Sequence, residues 1–149
     1  MERIIVGYDD SPPARAALVW AIEYAKDRNV LILLVHVMTS ITEPALAAMH
    51  RDPDPVRHTF EQLLSTEYSA VLRDAHINYE PVLLVGRPAE LIMRCARQHD
   101  ASMIVIGTTG HGVLHQLVRD STGRQLLHEA RRPVISVPPT WTPIHVHSP

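Results

Sequence analysis

Apolar positions along the chain fall into two alternating kinds of run. Short stretches are apolar at consecutive residues; longer ones carry an apolar residue every three or four positions. The first short run, Ile4-Ile5-Val6 closed by Gly7, reads as a strand. After the loop Tyr8-Asp9-Asp10-Ser11, Pro12 and Pro13 fit a first helical turn that Ser11 or Asp10 can cap. Ala14, Ala17, Leu18, Ala21, Ile22 and Ala25 then mark one helical face. Val30 to Val35 is apolar at every position, which suits a central parallel strand covered on both faces. Residues 39–53, with Pro44 and Pro53, read as a connector. A second helix is expected from Asp54-Pro55, with the stripe Val56, Phe60, Leu63, Leu64, Val71, Leu72 and Ala75. Val82 to Val85, ended by Gly86, predicts a third strand, and Pro88 opens a helix carrying Leu91, Ile92, Cys95 and Ala96. Met103 to Ile106 predicts a fourth strand, ending at Gly107. A glycine-bearing loop, a helix with Leu126, Leu127 and Ala130, and a fifth strand at Val134 to Val137 complete the pattern.

Strict strand–helix alternation implies a parallel sheet with helices on both faces. Right-handed crossovers make it a doubly wound, Rossmann-like α/β domain. Ligands in such sheets bind beyond the carboxyl ends of the strands, where the strand order reverses. The loops after the first and fourth strands are therefore the places to look. There is no internal repeat. Four of the twelve prolines follow Val137, so one domain is expected over residues 1–138 and an extended tail over 139–149, outside the core.

Composition narrows the function classes. At 149 residues the chain fits one domain with a sizeable core. The formal net charge is −2 and no basic stripe appears, which argues against a nucleic-acid partner. The densest apolar run, residues 31–35, is far too short to span a bilayer. The first strand starts at Arg3, leaving no room for a signal peptide, and Cys95 is the only cysteine, so no internal disulfide is possible. These features point to the cytoplasm. Ten histidines invite a metal, but His111 and His115, or His145 and His147, fall short of the three or four ligands zinc needs, and no metal is expected. Ser11, Ser121 and the histidines have no spacing that marks a nucleophile and its base, so no catalytic residue is assigned and an enzyme is not expected. Trp20 and Trp141 read as packing residues, and Cys95, on an apolar helical stripe, as core.

Five local patterns then occur in one order: Ile5-Val6-Gly7-Tyr8-Asp9-Asp10-Ser11; Leu34-Val35-His36-Val37; Val85-Gly86-Arg87-Pro88-Ala89; Asp100 through Gly110; and Arg132-Pro133-Val134-Ile135-Ser136-Val137-Pro138. Together they resemble the universal stress protein family over residues 3–138. The resemblance implies a five-stranded parallel sheet of order 3-2-1-4-5, a homodimer formed through the fifth strand, and a cytoplasmic stress-response protein with a pocket for an adenine nucleotide such as ATP, AMP or cyclic AMP. By resemblance the pocket residues are Asp9, Val37, Gly107, Gly110, His111, Asp120, Ser121 and Thr122.

The family's phosphate loop runs Gly, two residues, Gly, nine residues, Gly, then Ser or Thr. Gly107-Thr108-Thr109-Gly110 supplies its first half, and the nine residues His111 to Arg119 follow, but Asp120 stands where the last glycine belongs. Asp10 likewise replaces the glycine of the family's Asp-Gly-Ser turn. A carboxylate in a phosphate path repels the ligand, and glycine's close backbone approach is lost. Both departures are expected to weaken nucleotide binding, with Mg²⁺ as an ion able to bridge Asp120 to the phosphates. Two rival readings follow: a non-catalytic nucleotide binder, or a dimeric signalling module with a degenerate pocket. A slow ATPase is a third, without an identifiable base.

Overall fold

The computed structural model describes residues 1–39, 54–108 and 122–144. The elements in chain order are β1 (Glu2–Gly7), α1 (Pro12–Ala25), β2 (Val30–Thr39), α2 (Asp54–Ser65), α3 (Ala70–Asp74), β3 (Asn78–Gly86), α4 (Pro88–Gln98), β4 (Met103–Gly107), α5 (Thr122–Glu129) and β5 (Val134–Val137). The five strands form one parallel sheet in the order β3-β2-β1-β4-β5. Fold class and strand order are those expected from the sequence.

Side chains alternate across the sheet and build two cores. Ile4, Val6, Ile32, Leu34 and Val105 face α1, joined by Leu64 of α2 and Leu72 of α3. Ile5, Leu33, Val35, Ile104 and Ile106 face the other way, onto Ile92, Cys95 and Ala96 of α4 and Leu126 of α5. Strands apolar at every position are thus buried from both sides, each large side chain contributing about 1.5–3 kcal/mol. Cys95 is 3% exposed; its burial, and secondarily the Glu80 charge, push its thiol pKa up.

The helix expected from Asp54 onward is two helices. Between them the Ser69 hydroxyl donates to the Leu64 carbonyl, and Arg73 donates to the carbonyls of Ser65 at 2.9 Å and Thr66 at 2.7 Å. Side chains thereby take acceptors that a continuous helix would have used. The break turns Val71 outward to 41% exposure, off the expected stripe. Leu127 also leaves its stripe, at 58% exposure: in the short α5 it is Leu126 that enters the core. The segment after β5 is not wholly outside the core, because half-buried Trp141 packs against the α1-side cluster.

Candidate functional site

β1 pairs with β2 on one side and β4 on the other, so the strand order reverses between β1 and β4. A cleft of about 600 Å³ opens there, at the carboxyl ends of the strands. Its floor contains Gly7 and Gly107. A Cβ on Gly107 would lie 2.5 Å from the Pro13 carbonyl oxygen and 2.6 Å from the Ala14 nitrogen. Only glycine lets the first turn of α1 sit this close to the end of β4.

On the β1 side, residues 9–11 form a tied turn. Asp9 Oδ1 accepts from the Ser11 N–H at 3.0 Å and from the Ser11 hydroxyl. Ser11, not Asp10, is the N-cap of α1: its Oγ accepts from the Ala14 N–H at 3.3 Å. Pro12 and Pro13 carry no N–H. Every donor at the start of α1 is therefore either absent or committed within the chain. Asp9 thus makes the turn and lines the cleft.

Asp10 does not line the cleft. Its φ of 62° is the left-handed conformation that glycine favours, and its carboxylate turns to Arg15 at 2.9 Å and to the Tyr8 hydroxyl at 3.1 Å. The expected weakening of the pocket by Asp10 thus meets an Asp that keeps a glycine-like backbone and pairs its charge elsewhere. The hydrogen bond from Arg15 holds the Asp10 carboxyl below the usual range. Burial, then the neighbouring Asp10, push the Tyr8 phenol up to about 12.

β2 supplies the next wall. His36 is buried and lines the cleft; its ring pairs Nδ1 with the Tyr8 carbonyl at 2.7 Å, the Nδ1–H donating. It stacks on Phe60 at 4.7 Å, with the edge of Tyr68 at 6.1 Å. Val37, next along, lines the cleft and is half-buried. Opposite, on the β4–β5 side, the Thr108 and Ser136 hydroxyls are hydrogen-bonded to one another. α5 adds Thr122, Gly123, Arg124 and His128.

Of the residues expected in the pocket, Asp9, Val37, Gly107 and Thr122 line this one cleft. Gly110, His111, Asp120 and Ser121 lie outside the described residues. Sequence reasoning missed His36, Thr108, His128 and Ser136. Ser136 carried a signal: it is the one polar residue inside an apolar strand, beside Ile106 in register and next to the Gly107 pair. Among the described residues no group of three or more His, Cys, Asp or Glu is placed to hold a metal ion, and no helix is long and apolar enough to cross a membrane.

A small doubly wound α/β domain with a cleft at its switch point, glycine-floored and ringed by helix starts, has the build of a nucleotide-type binding domain. The sequence model of the universal stress protein family matches residues 1–138, and the chain belongs to that family. It is similar to a universal stress protein of Thermus aquaticus, 28% identical over 134 residues, covering 90% of this chain and 96% of that one. It is similar in structure to the universal stress protein from Archaeoglobus fulgidus in complex with dAMP, with a TM-score of 0.68 and 26% identity over 92% of this chain and 98% of that one. A universal stress protein in complex with cAMP shares the fold at a TM-score of 0.64 and 16% identity, over 93% of this chain and 98% of that one.

Proposed function

We propose that this chain is a non-catalytic, cytoplasmic stress-response protein that binds an adenine nucleotide in the switch-point cleft and works as a homodimer through β5. The observation that carries the reading is the convergence of Asp9, Val37, Gly107 and Thr122 on one cleft. The dAMP complex of the Archaeoglobus fulgidus relative supports an adenine ligand. In this reading Val37 meets the base through its backbone, Asp9 lies beside the nucleotide, and Gly107, Gly110, His111, Asp120, Ser121 and Thr122 form the phosphate loop. The dimer rests on β5 as an edge strand, whose outer backbone groups invite pairing.

The second reading, an interaction module with a degenerate pocket, is favoured by Asp120 alone, now that the Asp10 charge is paired with Arg15. A carboxylate about 5 Å from a phosphate costs roughly 3 kcal/mol at an effective dielectric of 20, and less with salt. Asp120→Gly is expected to tighten ATP binding about ten-fold, with adenosine changed much less. Mass spectrometry of the denatured purified protein, with calorimetry against AMP and ATP, separates the readings. A co-purified or titratable adenine nucleotide supports the first; no binding by wild type or Asp120→Gly leaves the interaction module.

A further inference from the structure

The switch-point cleft does not end at Gly107. It continues across β4 to β5, where Thr108, Ser136 and His128 line it. Three strand spacings separate β2 from β5, a distance of about 14 Å. A base seated on Val37 and a group touching Ser136 therefore belong to an elongated ligand. The two ends of the cleft also differ in what they offer. At the β1 end the donors of α1 are absent or used, and the Asp9 carboxylate faces the space, so that end does not receive an anion.

The β5 end has the opposite chemistry. In the Thr108–Ser136 hydroxyl pair one proton is spent between the two oxygens, and the other hydroxyl keeps its proton to donate. Both side chains sit at the ends of adjacent strands, with Ile106 paired to Ser136 and Gly107 to Val137, so the sheet fixes their spacing. His128, on α5, lines the same wall and adds an imidazole N–H donor.

We infer that Ser136 and His128, beside Thr108 of the glycine loop, form a polar subsite over β5 that takes the outer phosphates of a nucleoside polyphosphate. The subsite rests on the adenine-nucleotide reading of the cleft. It makes the β5 side the part that distinguishes ATP from adenosine, while the β1–β2 side recognises the nucleoside.

The test is calorimetry of adenosine and ATP against the wild-type chain, Ser136→Ala and His128→Gln, at one salt concentration and pH. Both residues are exposed, and thermal melting of each variant checks that the fold is retained. Each substitution is expected to weaken ATP about ten-fold or more, the loss of one hydrogen bond to a charged group, and to leave adenosine within about two-fold. ATP affinity unchanged in both variants, with adenosine still bound, overturns the subsite and leaves the nucleotide reading standing. Equal losses for ATP and adenosine also overturn it, because the residues would then shape the whole cleft. No binding of either ligand to wild type overturns the subsite together with the reading beneath it.

Discussion

The two ends of the sheet are built by the same strands and helices, yet they are closed in different ways. At the amino end of the strands three helices finish: α1 at Ala25, α3 at Asp74 and α4 at Gln98. Two residues after each finish comes a left-handed residue: Asp27 at φ 59°, His76 at 55° and Asp100 at 49°. This is the usual terminator of a helix, made here without glycine. Polar groups at this end are paired within the chain. Glu2 accepts from the Tyr24 and Ser102 hydroxyls, and Arg132 pairs with Asp100 at 3.0 Å. Arg28 lies over the Tyr24 ring at 4.7 Å.

The carboxyl end is different: a glycine is forced by backbone contact, and polar side chains face a cleft. A smaller hollow of about 290 Å³ exists at the amino end, beside Lys26, Arg28 and His76. Helix carboxyl ends point into that hollow, and their partial negative charge is answered by Lys26 and Arg28. The direction of a β-α-β unit brings the starts of α1, α4 and α5 to the cleft, although the donors of α1 are absent or used.

The carboxyl end is most sensitive to substitution at Gly107. Gly107→Ala drives a methyl group into the backbone of Pro13 and Ala14, which have no rotamer with which to yield. A loss of about 3 kcal/mol or more is expected in urea unfolding, since overpacking costs of this order arise even among mobile side chains. An unchanged midpoint would show that α1 can withdraw from β4.

At the opposite end the expected effect is smaller and of reversed sign. His76→Gly relieves a left-handed residue and should raise stability by about 0.5–1 kcal/mol, with nucleotide affinity unaltered. A destabilised variant would mean that the His76 side chain holds the turn.

The smallest effect is invisible at neutral pH. Tyr8 titrates near 12 in the folded chain, against about 10 unfolded, because burial and Asp10 disfavour the phenolate. A raised phenol stabilises the fold fully below pH 10, and that contribution is lost as pH rises from 10 towards 12. Ultraviolet titration of tyrosinate should therefore show one of the four tyrosines lagging the rest. Loss of that lag in Asp10→Asn would assign part of it to the carboxylate.

Most of the fold is legible in the chain because the periods of burial are local. Ile4-Ile5-Val6 and Val30 to Val35 announce two-sided strands without reference to anything distant. The break at residues 66–69 is not legible, because it depends on Ser69 and Arg73 reaching back to carbonyls that a longer helix would have kept. The site divides in the same manner. Asp9, Val37, Gly107 and Thr122 are found through motif and resemblance, while His36 passes as one letter of a strand. Its role at the cleft exists only because Tyr8, Phe60 and Tyr68, from three other segments, close around it.

By itself the sequence determined the strand–helix alternation, the parallel sheet and the end of the sheet at which to look, which follow from hydrophobic period and chain direction, properties of neighbouring residues; the family came from the resemblance of its motifs. The tertiary structure alone decided that Asp10 turns its charge to Arg15, away from the cleft, and that Gly107 meets the backbone of Pro13. It alone brought Thr108, Ser136 and His128 to one wall. Such contacts join residues far apart in the chain, and their geometry is set by how the helices settle on the sheet.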